Sequence, residues 1–192
     1  AALALAAPPQ MVKQVEIDRF NTPYSVQVSG PLGDLHEWPG LNRFQCLFYR
    51  RATRLRINAN PNQTLLTFSI GDGRMGFSSP MQIDWQFELT YFTMDGTYVD
   101  MSNVKRFYID CDHVPDIVEM YAFDRWHNIG VSGPTGQQLG FYFNRASLGG
   151  GLDWKNIYEI KFRLDFDQLP NPLEVTYDRI YLTLEPGKVN PG

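Results

Sequence analysis

Between Glu159 and Asp167 the chain alternates without a miss. Ile160, Phe162, Leu164 and Phe166 are apolar, and Glu159, Lys161, Arg163, Asp165 and Asp167 are charged. A period of two puts the apolar set on one face of a strand and the charges on the other, whereas a helix would scatter both. The segment 168–172, QLPNP, then breaks the pattern, because its prolines cannot donate to a ladder and each restricts the residue before it. The chain resumes at Val175, and Ile180, Leu182 and Leu184 share one face. Continuing that phase backwards predicts that Asp178 also points inward, where a carboxylate needs hydrogen bonds or a cation to offset its desolvation. A second clean alternation runs over 82–92. There Ile83, Trp85, Phe87, Leu89 and Tyr91 face one way, and Asp84, Gln86, Glu88 and Thr90 the other.

Shorter segments follow the same logic. Residues 12–28 predict two short strands around an Asn-Thr-Pro turn; 30–40 reads as a loop carrying His36 and Trp38; 44–57 reads as a strand or hairpin. Residues 65–70 form a strand closed by the tight-turn sequence Gly71-Asp72-Gly73, and Asp95-Gly96 reads as a hairpin turn. Strands are expected over 105–109 and 117–123 and around Phe141 and Phe143, with an acidic loop at 110–116 and a turn at 132–136. No long stretch has helical period, and none is long and apolar enough to span a membrane. Strands at roughly ten-residue spacing with turns between them indicate an all-β sandwich or barrel.

Composition narrows the function. The 192 residues carry a formal net charge of −4, which argues against nucleic-acid binding, because neutralising phosphates takes a basic surface. The basic cluster Arg43, Arg50, Arg51, Arg54 and Arg56 reads as a solvated strand edge rather than an anion site. Cys46 and Cys111 are the two cysteines; they form either one disulfide or two buried thiols, and a bond requires their Cα atoms within about 7 Å. No Gly-x-Ser-x-Gly elbow is present, and the loop Asp110, Cys111, Asp112, His113 and Asp116 lacks a recognised transition-metal spacing. Asn62-Gln63-Thr64 matches a glycosylation acceptor. Trp38, Trp126 and Trp154 lie in or near predicted loops; Trp38, Trp126 and His127 are the candidate carbohydrate-binding residues, with Trp126 and His127 as a platform for stacking a sugar ring.

Four short motifs carry a resemblance. Asp18-Arg19-Phe20 comes early, Gly40 to Arg43 leads into a strand, Leu152-Asp153-Trp154 precedes another, and Asp178-Arg179-Ile180 lies in the last. Over about 17–184 this layout resembles the β-jelly-roll domains of secreted carbohydrate-binding modules, and is similar to the sandwich ectodomains of exosortase-sorted (PEP-CTERM-type) bacterial surface proteins. The Pro-Glu-Pro tail of the sorting family does not occur here. The resemblance to the modules implies a structural calcium held by an early acid and a late Asp, for which Asp18 and Asp178 occupy the matching positions. The N-terminal AALALAAPPQ reads as an apolar extension, and Ala1, Leu3, Leu5 and Ala7 are its candidate assembly residues, docking across a subunit boundary as an added strand. The expectation is an antiparallel β-sandwich of jelly-roll type over 12–186, with an extension at 1–11 and a tail at 187–192. It is expected to be secreted, extracellular or at the cell surface, and non-catalytic. Its expected function is that of a self-associating subunit of a filament, sheath or surface assembly. The alternative is a carbohydrate-binding module with a structural calcium, partnered by a polysaccharide.

Overall fold

The structure, a computed structural model, describes residues 13–30, 34–38, 40–41, 46–137, 140–149, 151–167 and 170–185. Its strands are β1 (Gln14–Asp18), β2 (Tyr24–Val28), β3 (Asp34–Trp38), β4 (Arg50–Ala59), β5 (Leu66–Gly71), β6 (Arg74–Ser79) and β7 (Asp84–Phe92). These are followed by β8 (Val104–Cys111), β9 (Ile117–Asp124), β10 (Ile129–Ser132), β11 (Thr135–Gln137), β12 (Gly140–Asn144), β13 (Ile157–Phe166) and β14 (Leu173–Leu184). One 3-10 turn, Arg145–Ser147, is the helical element among the described residues, and none of their helices is long and apolar enough to cross a membrane.

Two antiparallel sheets face each other in a sandwich of jelly-roll type. One has six strands in the order β10-β9-β13-β7-β4-β3; the other has eight, β11-β12-β8-β14-β6-β5-β2, with β1 paired to β14. From β7 onward the chain repeatedly changes sheets, so β13 and β14 lie in opposite layers. Asp95-Gly96 is therefore part of a crossover and not a hairpin turn, because β7 and β8 belong to different sheets. Gly71-Asp72-Gly73 does close a hairpin. Asp72 and Gly73 have φ of 50° and 79°, the left-handed pair that matches the twist of the flanking strands.

Alternation builds the core. Ile160, Phe162, Leu164 and Phe166 are buried, as are Ile83, Trp85, Phe87, Leu89 and Tyr91. Trp85 stacks on Phe166 within the six-stranded sheet, with centroids 4.0 Å apart. Across the layers it meets Phe77 at 4.7 Å, and Phe162 meets Phe143 at 5.9 Å.

Two expectations fail here for physical reasons, and the alternative left open for the cysteines is decided. Asp178 does not point inward: its side chain is 56% exposed and pairs with Arg74 at 3.0 Å. The β14–β8 register slips between Tyr177 and Arg179, so Asp178 is the extra residue of a bulge that resets the inward phase between Tyr177 and Ile180. The segment read as a loop over 30–40 contains the edge strand β3, whose backbone pairs Asp34 through Trp38 with Leu55 through Arg51. Cys46 and Cys111 are not bonded; both thiols are free and buried. Cys46 bridges to Asp18 and Cys111 pairs with Tyr177 at another point of the eight-stranded sheet. Burial pushes the Cys111 thiol up to about 12 and the Cys46 thiol well above its ordinary value, as expected of inert structural thiols.

Candidate functional site

The charges that alternate with the core residues of β13 do not simply face water. Cross-strand register sets them into rows on the outer face of the six-stranded sheet. One row runs Ile129, Phe123, Glu159, Phe92, Arg50 from β10 to β4. The next runs Val131, Tyr121, Lys161, Thr90, Ala52. Then come Glu119, Arg163, Glu88, Arg54 and, last, Ile117, Asp165, Gln86, Arg56. Most of these side chains are half-buried, so neighbouring polar groups are already held in place.

Arg163 organises the polar half. Its Nη1 donates to Glu119 at 3.3 Å and its Nη2 to Asp165 at 3.4 Å. Gln86, its amide oxygen turned toward the guanidinium, accepts from Nε and from Nη2 at 2.6 Å. Tyr121 donates to Glu119 at 2.7 Å, which together with burial raises its pKa. Burial likewise pushes the carboxyls of Glu159 and Asp165 above the usual carboxylate range, against the opposing pull of Lys161 and Arg163. The aromatic half lies along β9 and the start of β13. Lys161 Nζ sits 5.3 Å from the Tyr121 centroid and 5.7 Å from that of Phe123. Phe123 is 6.2 Å from Tyr158, which is 6.0 Å from His127. Aromatic faces next to planar, hydrogen-bonding groups suit a ligand with apolar ring faces and polar edges.

At the aromatic end the face runs into a cleft of about 250 Å³. Thr93, Asp95 and Tyr98 from the β7–β8 crossover line one side; Arg125, His127 and Tyr158 line the other. A single buried carboxylate shapes this wall. Asp124 accepts from the backbone N–H of Trp126 at 2.8 Å, Asn128 at 3.0 Å and Asp153 at 2.8 Å, and from Asn128 Nδ2 at 3.0 Å. Burial alone would push Asp124 up, but these donors outweigh it and leave its pKa below the ordinary value. The turn so formed holds His127 at φ 62°, an uncommon conformation for a residue other than glycine.

Asp124→Ala is therefore expected to cost about 2–3 kcal/mol in urea unfolding, since charge-assisted hydrogen bonds to a buried acceptor are lost. Because the folded pKa lies below the unfolded one, this contribution is complete above about pH 4 and fades as the pH falls through the folded value. The stability gap between wild type and variant should narrow correspondingly in acid.

The residues singled out in the sequence are distributed as follows. His127 lines the cleft. Trp126, next to it, is 63% exposed with the Arg125 guanidinium 4.3 Å from its ring centroid. Trp38 ends the edge strand β3 opposite Arg51, and its side chain is outside the description. Asp18 is buried: Oδ2 accepts from Arg51 at 2.7 Å and from Tyr91 at 2.9 Å, and Oδ1 from the Phe20 N–H at 2.8 Å. Arg51 already supplies the countercharge there, and Asp178 is turned out toward Arg74, so the two acids do not converge on a cation. Among the described residues no group of three or more His, Cys, Asp or Glu is placed to hold a metal ion. Ala1, Leu3, Leu5 and Ala7 lie outside the described residues.

No family model matches the chain, and no curated protein matches it. Solved structures of similar layout include the family 11 carbohydrate-binding module of the cellulosomal cellulase Lic26A-Cel5E of Clostridium thermocellum. It has 16% identity and a TM-score of 0.42, over 91% of this chain and 96% of that one. A xylan-binding module, CBM86, from Roseburia intestinalis has 9% identity and a TM-score of 0.39, over 81% of this chain and 98% of that one. An exo-β-agarase structure has 10% identity and a TM-score of 0.36, over 81% of this chain but 23% of that one. Likeness at this level assigns neither ligand nor activity to this chain.

Proposed function

We propose that the outer face of the six-stranded sheet binds a carbohydrate and that the protein is a non-catalytic, secreted carbohydrate-binding module. One observation carries this reading. Along β9 and β13 the rings of Tyr121, Phe123 and Tyr158 adjoin a hydrogen-bonded set of planar groups, Glu119, Arg163, Gln86 and Asp165. A sugar offers apolar C–H faces and hydroxyl edges, so it needs rings to lie against and fixed donors and acceptors around them. Binding sites of this kind use a few precisely placed polar groups beside apolar surface. Because those groups are already held by one another, little rotamer freedom remains to be lost on binding.

The test is a binding panel by affinity electrophoresis and calorimetry. It includes mixed-linkage β-glucan, xylan, agarose and, as an acidic control, polygalacturonate. Tyr121→Ala is expected to weaken binding to the bound polysaccharide by roughly 1–2 kcal/mol, about five- to thirtyfold in Kd. Its melting temperature should change little, because Tyr121 is only half-buried. Binding unchanged by Tyr121→Ala would move the site elsewhere, and failure to bind every member of the panel would remove the proposal.

A further inference from the structure

At the end of the face opposite the His127 cleft, β4 runs into the Asn58–Asn62 turn, and a cavity of about 340 Å³ opens there. Ser29, Asn58, Asn60 and Gln63 are among its lining residues, and among the described residues none that lines it is ionisable. The wall is built rather than incidental. Asn60 Nδ2 donates to the Ser29 carbonyl at 3.0 Å and to the Thr64 carbonyl at 2.8 Å, while its Oδ1 accepts from the Thr64 N–H at 3.1 Å. Asn60 thus ties the turn to the end of β2.

Asn58 joins this cavity to the face. Arg54, Arg56 and Asn58 occupy alternate outward positions of β4, and Arg56 pairs in register with Gln86 of the polar network. The β4–β7 register slips between Ile57 and Ala59, so Asn58 is the extra residue of a bulge. Bulges redirect side chains beside functional sites, and here the Asn58 amide donates to Asp84 at 2.7 Å, on the first residue of β7. The Asn58 amide oxygen and the Gln63 side chain have no partner among the described residues. Carboxamides offer both donors and acceptors without charge, the pairing that a hydroxyl requires.

We infer that this carboxamide-lined cavity is a second subsite of the same surface, taking an uncharged sugar unit of a linear polysaccharide whose other units lie on the β9–β13 face. The inference rests on the carbohydrate reading and adds to it both the reach of the site and the neutrality of the unit bound at this end. The separation between Tyr121 and Asn58 spans several strands of the sheet, so a disaccharide held by the aromatic half does not reach the cavity. Affinity should therefore rise with chain length.

The experiment compares a disaccharide with a hexasaccharide, in β-1,4-linked gluco- and xylo-series, by calorimetry on the full chain. Wild type should bind the hexasaccharide more tightly. Ser29→Trp, which fills the cavity from an exposed position, and Asn58→Ala should each weaken hexasaccharide binding by about three- to tenfold and leave the disaccharide unchanged. Tyr121→Ala should weaken both. Equal affinity for both lengths, or a hexasaccharide unaffected by Ser29→Trp, overturns the second subsite while the Tyr121→Ala loss preserves the carbohydrate reading. A wild-type protein that binds neither series overturns both. Ser29→Trp carries the test alone if Asn58→Ala does not fold.

Discussion

Asp18→Ala is expected to destabilise the fold by about 3–5 kcal/mol, more than most truncations of a small side chain. Asp18 ends β1 in the eight-stranded sheet, whereas Arg51 and Tyr91 belong to β4 and β7 of the other. The 2.7 Å ion pair, with both side chains 1% exposed, therefore links the two layers inside the core. Removing the carboxylate leaves a guanidinium in a site that excludes water, and orphans the Tyr91 hydroxyl, whose pKa burial and Asp18 already raise. The penalty comes from the stranded partner and not from the pair's intrinsic worth, since a buried ion pair roughly offsets its own desolvation. The double variant Asp18→Ala/Arg51→Met should therefore recover much of the loss, with a coupling of about 1–3 kcal/mol in a urea double-mutant cycle. Strictly additive costs would show that the two groups do not act as a unit.

How much of this was legible in the sequence depends on what each feature needed. The β13 and β7 alternations were readable because each has one face in the core, and a one-residue slip would expose every apolar side chain. Arg51 was readable in principle: it lies in phase with Thr53, Leu55 and Ile57, all buried, yet its place in an arginine run made it look solvated. Asp178 was misread because a period of two extends a phase straight through a bulge, and bulges leave no mark in that pattern. Strand β3 was missed because its ladder is set by register with β4, the next strand, and its own residues read as a Gly- and Pro-flanked loop. The candidate face was the least legible part. On β9, Tyr121 and Phe123 face out with Glu119 while Val118, Met120 and Ala122 face in, so its outward side is mostly apolar and does not stand out in the sequence as a solvent face. Only the pairing of β9 with β13 sets Tyr121 beside Lys161 and Glu119 beside Arg163. His127 alone was reachable, as an aromatic residue in a turn.

Phe162→Ala is expected to cost about 3–5 kcal/mol, and Lys161→Ala, one residue away, less than about 0.5 kcal/mol. Phe162 is fully buried between Leu89 and Met120 in register, and meets Phe143 of the opposite sheet at 5.9 Å. Truncating it removes contacts between the layers, and two facing sheets can close such a void only partly, so transfer and cavity losses add. Lys161 points the other way, its ammonium above the rings of Tyr121 and Phe123, where the neighbouring stems and water can take its place. Urea unfolding of the two variants measures both numbers, and comparable costs would reverse the assignment of faces. The alternation has a consequence for function. From Glu159 to Phe166 the even-numbered positions of β13 carry the packing and the odd-numbered ones the exposed chemistry, so substitutions at Lys161 or Arg163 can report on ligand binding without first unfolding the sandwich. That separation lets the proposed carbohydrate face be tested residue by residue, with the melting temperature as an internal control on each variant.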